Sequence, residues 1–309
     1  MIGIFNDNFP PVLDGVGITA QNYAYWLKET GHDVSVITPY APNMQEVMSS
    51  ATYPIYRYVS VPIPFRAPYR YGLPFLDFRF MHQWRQMNFD LVHAHCPFTT
   101  GSLAYKISRR QQIPLVATFH SKYRQDFEHN VRCKPIVDWM VKQIIRFYEK
   151  ADEVWITLPA VEETLREYGY KGHVEVVENG NDFYASKAQV AVMRGAMREE
   201  LGILPEETML LYVGQHTWEK NISFILESLA QIKDKPFHFF MVGTGYAVHA
   251  IRALIVRLGL SHRVTLLGCI HDRERLKRIY AASDLFLFPS LYDTCGLVVR
   301  ESAAMHTPS

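Results

Sequence analysis

Short aliphatic and β-branched runs alternate with segments of helical spacing along the whole of this 309-residue chain. That alternation restricts the fold more than any other feature. Strand candidates in the first half are Ile2–Phe5, Val34–Thr38, Leu91–His93, Leu115–Phe119, Glu153–Thr157 and Val174–Val177. In the second half they are Met209–Val213, His238–Val242, Val264–Leu267 and Leu285–Phe288. Between them apolar residues recur at helical spacing, as in Ala20, Tyr23, Ala24 and Leu27, or in Ile136, Trp139, Met140 and Ile144. Strands separated by helices pair in parallel, with helices covering both faces of the sheet. Two such series meet at Glu178-Asn-Gly-Asn-Asp182, a turn-forming stretch that reads as a linker. The expected fold is therefore α/β: two doubly wound domains, 1–180 and 181–309, facing across a cleft at the carboxyl ends of their strands.

Composition narrows the function classes. Thirty-two Lys and Arg stand against thirty-one Asp and Glu, so no overall charge draws the chain to nucleic acid. The opening Met-Ile-Gly-Ile-Phe-Asn-Asp lacks the basic and apolar regions of a signal peptide. No apolar run approaches the roughly 20 residues needed to cross a bilayer. Cys96, Cys133, Cys269 and Cys295 form no C-x-x-C pair, which suggests reduced thiols in a cytoplasmic protein and no metal site.

Residues capable of chemistry gather where strand candidates give way to glycines. Asp284-Leu-Phe-Leu-Phe-Pro-Ser290-Leu-Tyr-Asp293-Thr-Cys-Gly296-Leu-Val-Val-Arg-Glu301 passes from a strand through a glycine into helical spacing. A helix start leaves backbone N–H groups without partners, and its dipole favours an anion. Asp293 and Glu301 flank that start; such acids repel phosphate but suit sugar hydroxyls. A ligand carrying both groups, such as a nucleotide sugar, satisfies the whole stretch. The plain alternative makes Glu301 a helix-face acid and Asp293 a turn residue.

Three further turns have similar potential. Gly15-Val-Gly17-Ile-Thr-Ala20 fits G-x-G-x-x-A, yet nine residues separate it from the strand ending at Phe5. No acid follows the second strand at Thr38-Pro39-Tyr40, so a nicotinamide site is not expected. The reading instead is a longer glycine loop entering a helix at Thr19 and offering N–H groups to a phosphate or sugar. Val213-Gly214-Gln215-His-Thr-Trp-Glu-Lys220-Asn221 sets Lys220 at a helix start, as a diphosphate partner or a solvated lysine. Val242-Gly243-Thr-Gly245-Tyr246 repeats the strand-glycine-helix order.

His93 and His95 share one face of a strand, and His120 follows the next. They are ligand contacts or satisfied buried histidines; a metal on the His93–His95 pair lacks a third ligand. Residues 53–85, rich in Pro, Tyr, Phe and Arg, fit neither series. They form either an irregular insertion or a surface for lipid headgroups.

The acids around Gly296 resemble the acid-x7-acid motif of the retaining glycosyltransferases of family 4. Both acids there are normally Glu and the residue before the glycine is usually Phe. Asp293 and Cys295 depart from this, and the first carboxylate reaches one methylene less far. Asn179-Gly-Asn-Asp182 is similar to the Asn-Gly-Val-Asp turn that joins the two domains of GT-B enzymes. Gly15 and Val16 match the family's Gly-Gly-Val, with Asp14 replacing the first glycine. Lys220 matches the family lysine, whereas Gln215 stands where Arg is usual, weakening one diphosphate contact by roughly 1–2 kcal/mol. The Asn-Asp-Asn-Phe-Pro-Pro opening and the Phe-His-Ser-Lys-Tyr run are most like bacterial members that glycosylate diacylglycerol.

This resemblance, running from Ile4 to Pro308, implies two Rossmann-like GT-B domains, an acceptor-side one over 1–180 and a nucleotide-sugar one over 181–309. It implies transfer of a hexose, glucose foremost, from a UDP-sugar to a lipid or glycan hydroxyl, keeping the α-configuration. Neither metal nor other cofactor is implied. Lys220 and the amides of Gly296, Leu297 and Val298 would receive the departing diphosphate. Asp293 would hold sugar hydroxyls and Glu301 the ribose, with Thr294 and Cys295 also among the donor-binding residues. Gly15, Val16, Gly17 and Gln215 would contact the donor, and Gly243, Gly245 and Ile270 would line the base pocket. His120 would sit beside the reaction centre. The family continues beyond the point matching Ser309, so the second domain is expected to be C-terminally truncated, with an unpaired sheet edge and weak transfer. Other readings are a nucleotide-sugar epimerase on the same scaffold, an inactive remnant, and a two-lobed sugar-binding protein, which would need a signal peptide.

Overall fold

Apolar runs buried on both faces build two parallel sheets in the computed structural model, which describes residues 1–12, 14–64, 69–120, 122–290, 293 and 296–309. The chain divides into two units, Met1–Gly180 and Asn181–Ser309. Strands of the first unit are β1 (Ile2–Phe5), β2 (Val34–Pro39), β3 (Ile55–Tyr58), β4 (Ser60–Pro62), β5 (Arg70–Gly72), β6 (Leu91–Ala94), β7 (Leu115–Phe119), β8 (Glu153–Ile156) and β9 (Glu175–Val176). Seven of these pair in the order β3-β2-β1-β6-β7-β8-β9, while β4 and β5 form a separate antiparallel ribbon. Every pairing in the large sheet is parallel. Ile4, for example, lies between Val36 and His93. Strands β2 and β7 are buried at every position, as continuous aliphatic runs require when helices cover both faces. One core contains Phe5, Leu103, Phe119 and Tyr148; another contains Ile4, Ala20, Ala24 and Val36.

The second unit contains β10 (Thr208–Val213), β11 (Phe237–Val242), β12 (Val264–Gly268) and β13 (Leu285–Phe286). Their order is β12-β11-β10-β13, again parallel. The direction of winding reverses between β1 and β6 in the first sheet and between β10 and β13 in the second. Neighbouring loops diverge there at the carboxyl edge, where doubly wound sheets receive ligands.

Four expectations need correcting. Residues 53–85 are not an irregular insertion: β3 pairs with β2, and Phe80 and Trp84 enter the core of the large sheet. The alternation of aromatic and aliphatic residues around Arg57 is a strand pattern that the prolines obscure. The helix Lys134–Tyr148 turns Val137, Val141, Ile144, Ile145 and Tyr148 inward, leaving Ile136 and Trp139 exposed. Its buried stripe is one position out of phase with the expected one because the β-branched residues, not the tryptophan, pack on the sheet. Gly15 does not precede its helix: Gly15–Glu29 is helical from the first glycine, with Asp14 as N-cap. Finally, β13 is not bare on its outer side, since the Phe286 N–H donates to the Pro308 carbonyl at 2.8 Å. Among the described residues, no helix is long and apolar enough to cross a membrane.

The phase of the helix Lys134–Tyr148 is open to test by urea unfolding. Ile145→Ala, in the observed stripe alone, should cost about 2–5 kcal/mol, and Trp139→Ala about 0.5 kcal/mol or less. The reverse ranking would restore the original stripe.

Candidate active site

Three loops at the carboxyl edge of the second sheet are tied together through their backbones. The Gly214 N–H donates to Val242, the Gly243 N–H to Gly268, and the His216 N–H to Thr244, at 3.0, 2.8 and 2.9 Å. Gly243 has φ +129°, and a Cβ on it would meet the Gly214 carbonyl oxygen. A Cβ on Gly245 would meet the carbonyl of His216. The G-x-G pattern is thus required by the approach of two loops, whatever ligand they serve. Ile270, expected beside a base, packs half-buried against the core. Gln215 is exposed, and its carbonyl accepts from the Tyr212 hydroxyl at 2.8 Å.

Lys220 closes a short turn, Trp218–Lys220, after which Asn221 adopts the left-handed conformation and the helix Ile222–Ala230 begins. Its Nζ lies 2.5 Å from Asp293 Oδ2 and 5.6 Å from the centre of the Phe288 ring. The expected diphosphate cation and the expected sugar-holding acid are therefore brought together as an ion pair. Gly296, at φ +55°, is the N-cap of the helix Leu297–Ala304 and supplies no side-chain cap. The first-turn N–H groups of Leu297 and Val298 consequently have no partner from their own helix. Thr294 and Cys295 lie outside the described residues.

Glu301 is only 2% exposed. Its Oε1 accepts from Arg273 at 2.7 Å and its Oε2 from the Tyr280 hydroxyl at 3.0 Å. Burial pushes its carboxyl above the usual range, and the Arg273 guanidinium opposes that. Arg273 also pairs with both carboxylate oxygens of Asp182. Nothing in the sequence marks Arg273 or Tyr280 as site residues: they stand 28 and 21 positions from Glu301 and belong to no local motif.

In the first unit the three histidines form one buried row. His93 Nε2 lies 2.7 Å from Thr118 Oγ1, and His95 Nδ1 lies 3.0 Å from His120 Nε2. The His93 and His95 ring centres are 4.1 Å apart, and Tyr23 packs against both. Burial pushes His93 and His120 down to about 3 and His95 well below its ordinary value, so the row is neutral near pH 7. Among the described residues, His95 Nε2 and Asp7 Oδ2 are buried without a partner. Asp7 Oδ1 accepts from Thr99 Oγ1 at 2.6 Å. Asp14 accepts from the Gly17 N–H at 2.5 Å, which removes one amide from the set expected to meet the donor. Gly15 and Val16 lie in the same first turn. No group of three or more His, Cys, Asp or Glu among the described residues is placed to hold a metal ion.

Residues 13–183 match the family described as Glycosyltransferase Family 4, and residues 207–309 match Glycosyl transferases group 1. The chain belongs to glycosyltransferase family 4. This transferase is 26% identical to the alpha-monoglucosyldiacylglycerol synthases of Streptococcus pneumoniae (strain ATCC BAA-255 / R6) and Acholeplasma laidlawii. Each match covers 99% of the transferase, and 70% and 79% of those relatives respectively. The Anabaena protein Alr3699/HepE, crystallised with UDP and glucose, matches 100% of the transferase and 79% of its own chain with a TM-score of 0.74. At 19% identity that likeness speaks for the fold alone, which is the GT-B one.

Two outcomes follow from this geometry. Asp293→Asn releases Lys220 from a partly exposed ion pair, so UDP should bind up to about fivefold more tightly by calorimetry. Unchanged affinity would count against Lys220 as the diphosphate cation expected from the sequence. The buried histidines have folded pKa values below the unfolded value of about 6.5, so the unfolded chain binds more protons and stability falls as pH drops from 6.5 towards 3. Asp7 and Asp14, raised by desolvation, act in the opposite sense at the acid end. His93→Gln should flatten the urea midpoint between pH 6.5 and 4.5; an unaltered slope would mean that His93 is not buried neutral.

Proposed function

We propose that this transferase moves glucose from UDP-glucose to the free hydroxyl of a diacylglycerol-type lipid, keeping the α-configuration and needing no divalent cation. The observation that carries the proposal is the match of 99% of the chain to two alpha-monoglucosyldiacylglycerol synthases. The UDP and glucose held by the Anabaena neighbour agree with such a donor.

On this reading the second unit binds the donor. Lys220 and the open amides at the Gly296 helix start balance the charge that grows on UDP as the glycosidic bond breaks. Asp293 exchanges Lys220 for sugar hydroxyls, and Glu301 accepts from the ribose. The acceptor oxygen attacks from the face that UDP leaves, and a phosphate oxygen of UDP takes its proton. The bond to UDP is replaced by one to the lipid oxygen, and no side-chain base is required. His120, neutral and fixed by His95, contributes a hydrogen-bonding nitrogen towards the sugar.

A lipid acceptor requires contact with a bilayer surface, and exposed apolar residues of the first unit support such a contact. Leu76 and Phe78 are 66% and 84% exposed, with Val59, Val61 and Tyr71 also exposed nearby in the chain. Cations accompany them: Arg57 and Arg70 lie over the Tyr40 ring at 5.2 and 5.9 Å, and Lys106 over Phe75 at 4.6 Å. Aromatic and aliphatic groups flanked by arginine suit the boundary between headgroups and acyl chains.

The test is UDP release and product analysis with UDP-glucose and diacylglycerol in anionic vesicles, with and without EDTA. The expected product is the α-glucoside, formed equally with the chelator present. Leu76→Ser with Phe78→Ser should lower vesicle binding and transfer while leaving UDP affinity unchanged. A β-product, or silence with several nucleotide sugars, would overturn the assignment.

A further inference from the structure

The cluster around Glu301 contains more than one carboxylate needs for burial. Arg273 faces two acids, Asp182 and Glu301, and its guanidinium lies 4.3 Å from the centre of the Phe183 ring. Lys277 Nζ lies 5.9 Å from the centre of that ring and has its own carboxylate, Glu274, at 3.2 Å. Arg273 thus brings one positive charge to two negative ones, so the immediate group keeps an excess negative charge. Such a group repels phosphate and favours donors of hydrogen bonds. An ionised carboxylate has about four lone-pair positions. Among the described residues one is filled on each oxygen of Glu301, and both fillers are themselves held: Arg273 by Asp182, Tyr280 by full burial in the core.

We infer that Arg273 and Tyr280 are positioning residues for nucleotide recognition, fixing the Glu301 carboxylate so that its remaining lone pairs accept from the two ribose hydroxyls. The inference rests on the reading that Glu301 meets the ribose of a UDP-sugar. Arg273 also keeps the buried carboxylate ionised, and hence acceptor-only, where desolvation favours protonation. The tie to Asp182 makes this hold rigid, because a bidentate arginine pair sets angle as well as distance. A cluster that merely braced the start of the second unit would have no need of acceptor positions on Glu301 beyond those that Arg273 and Tyr280 fill among the described residues.

Ribose discrimination separates these two roles. Calorimetric titration of the unaltered chain with UDP and with 2′,3′-dideoxy-UDP should show UDP binding about tenfold to a hundredfold more tightly. In Arg273→Met that ratio should fall below about threefold, with Arg273→Lys restoring part of it. Tyr280→Phe, which removes one hydroxyl from an otherwise unchanged ring, should give an intermediate ratio and decides the matter if Arg273→Met does not fold. Weaker binding of both nucleotides at an unchanged ratio in these variants would overturn the inference and leave the donor reading standing. Failure of the unaltered chain to distinguish the two nucleotides would overturn both.

Discussion

Parallel pairing obliges every strand to leave its sheet at the same edge, and the candidate chemistry of both units depends on that. In the second unit the winding reverses between β10 and β13, so the loops that follow them open beside one another. Lys220 and Asp293, 73 residues apart in the chain, meet there at 2.5 Å. In the first unit the same constraint carries His93, His95 and His120 to one edge from two adjacent strands. No local motif is needed for these encounters; they follow from strand order and right-handed crossover.

Close backbone packing then fixes the loops in place. Gly243 and Gly245 stand where any Cβ would strike the carbonyls of Gly214 and His216. Side-chain-free contact allows four hydrogen bonds between the loops, from Gly214, Gly243, His216 and Ala247 N–H groups. Loops held in this way need little reorganisation when a charge develops beside them.

Much of the fold was legible in the sequence because its strands are aliphatic runs that contrast with amphipathic helices. The ten strand candidates all correspond to strands, with ends that shift by a residue or two. What escaped was context. β3 hides among prolines, and only its pairing with β2 makes it a strand. The helix Lys134–Tyr148 offers two apolar stripes, and packing on the sheet, invisible to periodicity, selects the one without Trp139. The site was legible where glycine or charge marks a turn, as at Lys220, Gly243 and Gly296. Arg273 and Tyr280 were not, because a buried partner defined by three-dimensional proximity leaves no spacing to read. Gly15–Gly17 misled for a different reason: a glycine pair resembles a loop, but Asp14 caps the helix directly in front of it.

That cap separates the ligand chemistry of the two units. Helix starts at both carboxyl edges present amides and a dipole worth about 0.3–2 kcal/mol to a negative charge. At Asp14 the chain supplies the negative group itself and the Gly17 amide is taken, while the histidines of the same unit are kept neutral by burial. An incoming phosphate would meet a carboxylate there, whereas a hydroxyl would meet acceptors and a neutral imidazole. At Gly296 the N-cap residue itself has no side chain to occupy the amides, and Lys220 pairs with Asp293. Phosphate suits that edge. One N-cap residue in each unit, aspartate in one and glycine in the other, thus gives two similar α/β edges different local charge.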